Sequence, residues 1–260
     1  MNYTTPYEPP TLTVDLVAFQ VVDDSLAVLL IKRPHEPFQG AWALPGGYNP
    51  KGETTQESLY RIVLQKAGVN TKVDLEYIEQ LYTFDTVARD PRGHAVSVTY
   101  MGAGRNITPV GGSAEAVFYP IDKLPSLAYD HDRIIEYAVD RLRTSLMSSR
   151  AVAAFMPEKF SLSQLQKVYE IILDQTIDKR NFRKRILSLD LLSDTDEMMR
   201  DGAHRPAKLY QTRTIDQKRV ILTKLFSSFT YSDGAVSVKY SKFASVIANK
   251  TLKTKEILGR

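Results

Sequence analysis

Hydrophobic and polar positions alternate along this chain in two rhythms. Residues 11–22 and 26–32 are dense in aliphatic and β-branched side chains and flank Asp23-Asp24-Ser25, the pattern of a hairpin closed by a tight turn. From Pro34 to Gly47, repeated Pro and Gly predict a loop. The rhythm then becomes helical. Thr54 and Glu57 have capping-box spacing, Leu59, Ile62, Val63 and Ala67 recur on one face, and Gly68 is a C-terminal stop. On that wheel Ile62 falls on or beside the buried stripe, while Gln65 and Lys66 look outward. Strand-like runs at 77–83 and 95–102 enclose a polar loop at 84–94, and 117–121 adds a short strand. Residues 131–146 read as a helix with Ile134, Ile135, Ala138 and Leu142 inward. The pattern predicts a mixed β/α layered domain over residues 1–147.

A linker is expected at 148–157. Ser161, with Gln164 three residues on, then opens a helix with the stripe Leu165, Val168, Tyr169 and Ile172. A short turn at Thr176-Ile177-Asp178 leads into a second helix. Its Phe182, Ile186 and Leu189 face inward and its Arg180, Asn181, Arg183 and Lys184 face outward. Leu191–Leu192 and Lys208-Leu209-Tyr210 could pair as a two-stranded wing around a charged loop. Helix, turn, basic helix and wing make a winged helix-turn-helix over 158–212. In the extension 213–260, whose role is not legible, 217–229 looks helical and Asp233-Gly234 is a turn.

Charge sharpens this division. The net +4 of the 260 residues hides 14 Lys+Arg against 18 Asp+Glu in residues 1–150, and 20 against 12 in 151–260. An acidic half joined to a basic half (−4 and +8) suggests that only the second meets a polyanion. The chain has no cysteine, which excludes disulfides and thiolate metal sites. No apolar run approaches the roughly 18 residues of a membrane span, and the polar start at Met1–Pro10 is no signal peptide. A cytoplasmic protein is expected. His35, His94, His131 and His204 lack metal-ligand spacing, and no nucleophile set of the Ser-His-Asp or Cys-His kind is present. His131, beside Asp130 at a helix start, reads as a cap or structural hydrogen-bond partner.

One segment carries phosphate chemistry. Gly47-Tyr48-Asn49-Pro50-Lys51-Gly52-Glu53, seven residues, then Arg61-Ile62-Val63-Leu64-Gln65-Lys66-Ala67-Gly68-Val69 resembles a Nudix box. That family's pattern is Gly, five residues, Glu, seven residues, Arg-Glu-apolar-any-Glu-Glu-any-Gly-apolar. Gly47, Glu53, Arg61, Val63, Gly68 and Val69 fall in register, but Ile62, Gln65 and Lys66 replace the three glutamates that in the family bind Mg²⁺. Those residue types cannot supply hard anionic oxygens. No metal ligand, catalytic residue or Mg²⁺ requirement is therefore expected, although Glu53 and Glu57 remain. Around the box, Gly46 and Gly47 let backbone approach a diphosphate. Arg33 and Glu53 belong to the same ligand-binding constellation, with Trp42 or Phe84 stacking on an adenine, unless Trp42 simply packs the core. Lys66 either stands in for part of the ion's charge, pairing with diphosphate oxygens, or is a solvated helix lysine. Arg89 and Arg92, in Arg89-Asp90-Pro91-Arg92-Gly93-His94, suit bidentate phosphate recognition or form an ordinary charged turn. On the second helix, Arg180, Asn181, Arg183 and Lys184 have the chemistry to read bases and anchor phosphates, and Arg205 on the wing would reach backbone or minor groove.

With Leu29-Leu-Ile-Lys-Arg33, Trp42-Ala-Leu-Pro-Gly-Gly47, Leu81-Tyr-Thr-Phe84, Ala128-Tyr-Asp-His131, Lys179-Arg-Asn-Phe-Arg-Lys184 and Arg205-Pro-Ala-Lys-Leu-Tyr210, the chain resembles the Nudix-related transcriptional regulators of NAD metabolism, the NrtR family, over roughly residues 11–210. The resemblance implies an α+β protein, a Nudix-like α/β/α sandwich with a mixed sheet followed by the winged domain. It implies a homodimeric repressor that binds a palindromic double-stranded DNA operator of NAD salvage or synthesis genes and senses ADP-ribose or a related NAD-derived nucleotide. The competing readings are a Nudix hydrolase cleaving ADP-ribose, and a regulator of the same architecture that senses a sugar or other metabolite.

Overall fold

The structure is a computed structural model. It describes residues 9–146, 150–189, 191–199, 206–213, 226–232 and 235–240. The chain divides into two compact units, Met1–Pro157 with Ser163–Thr176, and Glu158–Leu162 with Ile177–Arg260.

The first unit is built on β1 (Thr11–Val22) and β2 (Ser25–Lys32), antiparallel with Val22 opposite Ser25. Asp23 and Asp24 both have left-handed φ (45° and 60°), as a two-residue turn that follows the strand twist requires. The short strands β3 (Trp42–Ala43) and β4 (Gly46–Tyr48) follow, inside the segment expected to be a loop. They form because β2 and β1 each offer a free ladder, placing Lys32 opposite Trp42 and Asp15 opposite Gly46. Helix α1 (Thr55–Ala67) has the full capping box of Thr54 and Glu57, and Gly68 closes it in the left-handed region. After it come β5 (Tyr77–Phe84), β6 (Ala95–Ala103), β7 (Ala116–Pro120) and α2 (His131–Ser145).

The seven-stranded sheet has the order β3-β2-β1-β6-β5, with β4 paired to β1 and β7 to β2. It is mixed, since β1 and β6 run parallel and the other pairs antiparallel. Every residue from Thr13 to Phe19 of β1 is buried, so both faces of that strand are covered. Val14, Leu16 and Ala18 pack with Leu59, Ile62, Val63 and Ala67 of α1, while α2 buries Ile134, Ile135, Ala138 and Leu142. The mixed sheet between helices is the expected sandwich.

The domain boundary departs from expectation. The segment expected as a linker contains the short helix α3 (Arg150–Ala153) and buries Ala151, Val152, Ala154, Phe155 and Met156. Helix α4 (Leu162–Leu173) packs largely with the first unit. Among the contacts that hold it there, Arg143 Nε donates to Ile172 O (3.0 Å), Tyr169 Oη to Leu146 O (3.1 Å), and Lys167 pairs with Asp24 (3.1 Å).

The second unit contains β8 (Phe160–Ser161), α5 (Lys179–Ser188), β9 (Leu192–Met199) and β10 (Ala207–Thr212), the strands ordered β8-β10-β9. The wing thus has three strands where two were expected. The first part of the stretch expected as a charged loop, up to Met199, belongs to β9, whose Thr195 hydroxyl reaches across to Leu209 O (2.9 Å). Beyond it, β11 (Phe226–Ser232) and β12 (Ala235–Tyr240) form an antiparallel pair. Residues 226–229, expected helical, are therefore strand. The rest of that expected helix, the turn at 233–234, and Arg205 lie outside the described residues.

Candidate functional site

Between β4, the second half of α1 and the loop before α2 the first unit opens a cleft of ≈ 530 Å³. Arg33, Gly46, Gly47, Lys66, Arg89 and Arg92 line it. The close approach at its back wall requires glycine: a Cβ on Gly46 would collide with Asp15 Oδ1 and stand 2.5 Å from Val14 O.

The Nudix-like frame is held by its surviving residues. Arg61 Nε and Nη2 each donate to the Glu53 carboxylate at 2.8 Å, Ser58 Oγ donates to it at 2.6 Å, and Asn49 Nδ2 donates to Ser58 Oγ at 2.7 Å. Arg61 beside it holds the Glu53 carboxyl below its ordinary range. Glu53 itself does not line the cleft; it ties the loop to α1, a use of the box that its spacing alone did not distinguish. Glu57 is likewise engaged, accepting from Thr54 N and Oγ1 at 2.8 Å, which lowers its carboxyl.

Beneath the cleft lies a buried charged network. Arg89 donates through Nη2 to Asp130 Oδ1 (2.7 Å) and through Nε to Asp130 Oδ2 (3.1 Å), with Asp15 Oδ2 at 3.8 Å. Asp15 accepts from Ser97 Oγ at 2.5 Å. His131 Nδ1 accepts the Leu44 N–H at 2.9 Å, which leaves the ring proton of the neutral form on Nε2, 3.9 Å from Asp15 Oδ1. Burial pushes His131 below the ordinary imidazole range, so it is neutral. The structural role expected for it holds. Arg89 does line the cleft, but its guanidinium is already bonded to Asp130 and braces the floor, because a buried arginine needs a paired carboxylate.

Arg92 bonds Asp90 at 2.6 and 2.9 Å, and its guanidinium lies 5.4 Å from the Tyr48 ring. Arg33 is held by the carbonyls of Pro37 (2.8 Å) and His35 (3.3 Å) and stacks 4.9 Å from the Tyr129 ring. Lys66 turns inward, against the expectation of an outward side chain: its Nζ donates to Gly46 O at 2.6 Å. Burial pushes its ammonium below the usual lysine range, Arg33 and Arg92 add to this, and Asp15 opposes it.

Besides Glu53, two more expected ligand residues are not among the lining of the cleft. Trp42 packs edge-on against Tyr119 (4.9 Å) with Lys32 Nζ 5.7 Å from its ring. Phe84 packs against Tyr82 (5.5 Å) and Tyr137 (5.7 Å). Both sit on strands whose aromatic neighbours provide the larger apolar contact. Sequence reasoning missed Asp15, Tyr48 and Tyr129. A signal existed for Asp15, a lone carboxylate inside an apolar strand run.

In the second unit Asp178 caps α5 by accepting the Asn181 N–H (2.8 Å). Phe182 and Ile186 are buried, so Arg180, Asn181, Arg183 and Lys184 emerge together on the exposed side. Lys208 pairs with Asp194 and Lys159 with Glu197 (2.5 Å) across the wing.

Residues 11–138 match the profile of the NUDIX domain, and residues 152–212 match the NrtR DNA-binding winged helix domain. Over 212 residues the chain is 32% identical to the ADPR responsive transcriptional repressor NtrR of Acinetobacter baylyi, covering 79% of this chain and 83% of that relative. The chain belongs to the NrtR family. Shewanella oneidensis NrtR, solved in complex with a 27mer DNA, superposes with a TM-score of 0.64 at 34% identity, over 78% of this chain and 93% of that one. The Nudix-like part alone is also similar to the ADP-ribose pyrophosphatase of Methanocaldococcus jannaschii, 34% identical over 132 residues, 50% of this chain and 73% of that enzyme. The NrtR frame of the first unit is thus shared with a hydrolase. Among the described residues, no helix is long and apolar enough to cross a membrane.

Proposed function

We propose that this chain is a DNA-binding transcriptional repressor whose first unit senses ADP-ribose or a related NAD-derived nucleotide and whose second unit binds the operator of NAD salvage or synthesis genes in the cytoplasm. The observation that carries the reading is the pairing, in one NrtR-family chain, of a glycine-backed cationic cleft with a capped helix that exposes Arg180, Asn181, Arg183 and Lys184. Arginine and asparagine have the donors to read guanine and adenine in the major groove, and lysine neutralises phosphates. Two copies on a two-fold axis meet the two halves of a palindrome. The effector regulates by binding one dimer arrangement more tightly than the other. The chain is not a hydrolase in this reading, because Ile62, Gln65 and Lys66 offer no carboxylate where the Nudix pattern has three.

The test is fluorescence anisotropy of a labelled upstream palindrome. Saturable, salt-dependent binding that ADP-ribose reverses is expected. Binding that ADP-ribose leaves unchanged would sink the effector assignment, and absence of DNA binding would sink the reading. The similarity to an ADP-ribose pyrophosphatase supports one competitor, a hydrolase. Chromatography of the same mixture for AMP decides against or for it.

A further inference from the structure

The cleft's cations fall into two groups. Arg61, Arg89 and Arg92 are paired with Glu53, Asp130 and Asp90. Among the described residues, no carboxylate stands at ion-pairing distance from Lys66 or Arg33, whose polar contacts are backbone carbonyls. A half-buried ammonium without a counter-charge is costly unless an anion arrives.

The Nudix resemblance implies a Mg²⁺ ion in this region, and the residues present do not fit one. Mg²⁺ asks for an octahedron of hard oxygens, usually including one or two carboxylates. Ile62 is instead part of the apolar core under α1, Gln65 is exposed, and Glu53 and Glu57 are engaged by Arg61, Ser58 and Thr54. The Gly46 carbonyl, an oxygen of the kind a hard cation would take, already accepts from Lys66 Nζ.

We infer that the cleft captures the diphosphate of its nucleotide effector without a divalent metal, with the Lys66 ammonium, assisted by Arg33, supplying the positive charge an ion would bring. The inference rests on the ADP-ribose reading above. One N–H of Lys66 goes to Gly46 O, and the ammonium carries two more that can meet phosphate oxygens. Gly47 leaves the approach open, since a Cβ there would stand 3.4 Å from Lys66 Nζ and 3.3 Å from Ile62 Cδ1. An ammonium neutralises a phosphate oxygen but has no open coordination position, so it activates no water. The same substitution therefore gives retention of the ligand without its hydrolysis. Because burial has lowered Lys66's hold on its proton, affinity falls as pH rises through its titration, and an arriving anion restores the charged form.

Calorimetric titration of ADP-ribose into the full chain, once with EDTA and once with Mg²⁺, tests this. The expected result is the same affinity in both, within about twofold, and a loss of roughly tenfold to a hundredfold in Lys66→Gln, as for a charge-assisted hydrogen bond. Lys66→Arg recovers most of it, and cooperative thermal unfolding of the variants by circular dichroism, well above the titration temperature, shows that they are folded. Affinity that appears only with Mg²⁺ overturns the inference while the ADP-ribose reading stands. No binding in either buffer overturns both. A Lys66→Gln protein that binds like the wild type in EDTA removes Lys66 from the account.

Discussion

Replacing Arg89 by Met removes the cation from a buried pair while keeping an unbranched side chain of similar length. The two side chains are 4% and 9% exposed, and the carboxylate of Asp130 takes both of its arginine bonds, at 2.7 and 3.1 Å, from this one residue. Asp15 loses the same guanidinium at 3.8 Å but keeps Ser97. Breaking a buried pair by removing one partner costs about 3–5 kcal/mol, because the remaining charge is left uncompensated. For a unit of about 150 residues each kcal/mol moves Tm by about 2–4 °C, so a fall of roughly 6–20 °C is expected. The double variant Arg89→Met/Asp130→Leu leaves no stranded charge at that pair and recovers most of the loss, with a coupling of about 2 kcal/mol or more between the two sites. Thermal denaturation followed by circular dichroism gives the four corners of this cycle, and ADP-ribose calorimetry well below the lowest Tm separates folding from binding. An Arg89→Met protein that melts within about 1 °C of wild type yet no longer binds ligand would refute the reasoning and put Arg89 on the ligand.

Three further outcomes follow from the geometry. Gly46→Ala drives a methyl into Asp15 and Val14 O at the β1–β4 ladder, so urea denaturation should show a loss of about 1–3 kcal/mol, and ligand affinity should fall with it. Arg92 holds the Asp90 carboxyl below its ordinary 3.8, so this stabilisation is fully present above the unfolded value and is lost as pH falls through the folded one. The Tm margin of wild type over Asp90→Asn should therefore be steady near neutrality and close in acid below about pH 4. On α5, Lys184→Ala should flatten the log–log salt dependence of operator binding by about 0.9 for each phosphate the helix no longer neutralises, and an unchanged slope would take that helix off the DNA.

What was legible in the chain was what is local. The capping box of α1, the Asp23-Asp24 turn and the buried Phe182 and Ile186 of α5 are each fixed within a few residues, and each appears where the spacing puts it. The two- and three-residue strands β3 and β4 were not legible, since each exists only by pairing with a distant strand. Lys66 was placed outward because a helical wheel cannot see a long side chain curling to a carbonyl twenty residues earlier. Arg89 was read as a ligand arginine because its partner, Asp130, is forty-one residues away. The glycines and the cations Arg33, Lys66 and Arg92 could be taken from the motif, whereas Tyr129 and Asp15 enter the cleft only through tertiary packing.

Ile62 ties the cleft to the core beneath it. It stands where the Nudix pattern has a glutamate, yet it is 3% exposed and shares the core with Leu16, Leu29, Leu59 and Val63. Replacing Ile62 by Glu would bring a carboxylate against that core, where burying an unpaired charge costs several kcal/mol. Placing an acid at this position is thus a question of folding before it is one of chemistry. An engineer wishing to place acids in the box would have to loosen the packing under α1 first and add the carboxylates second.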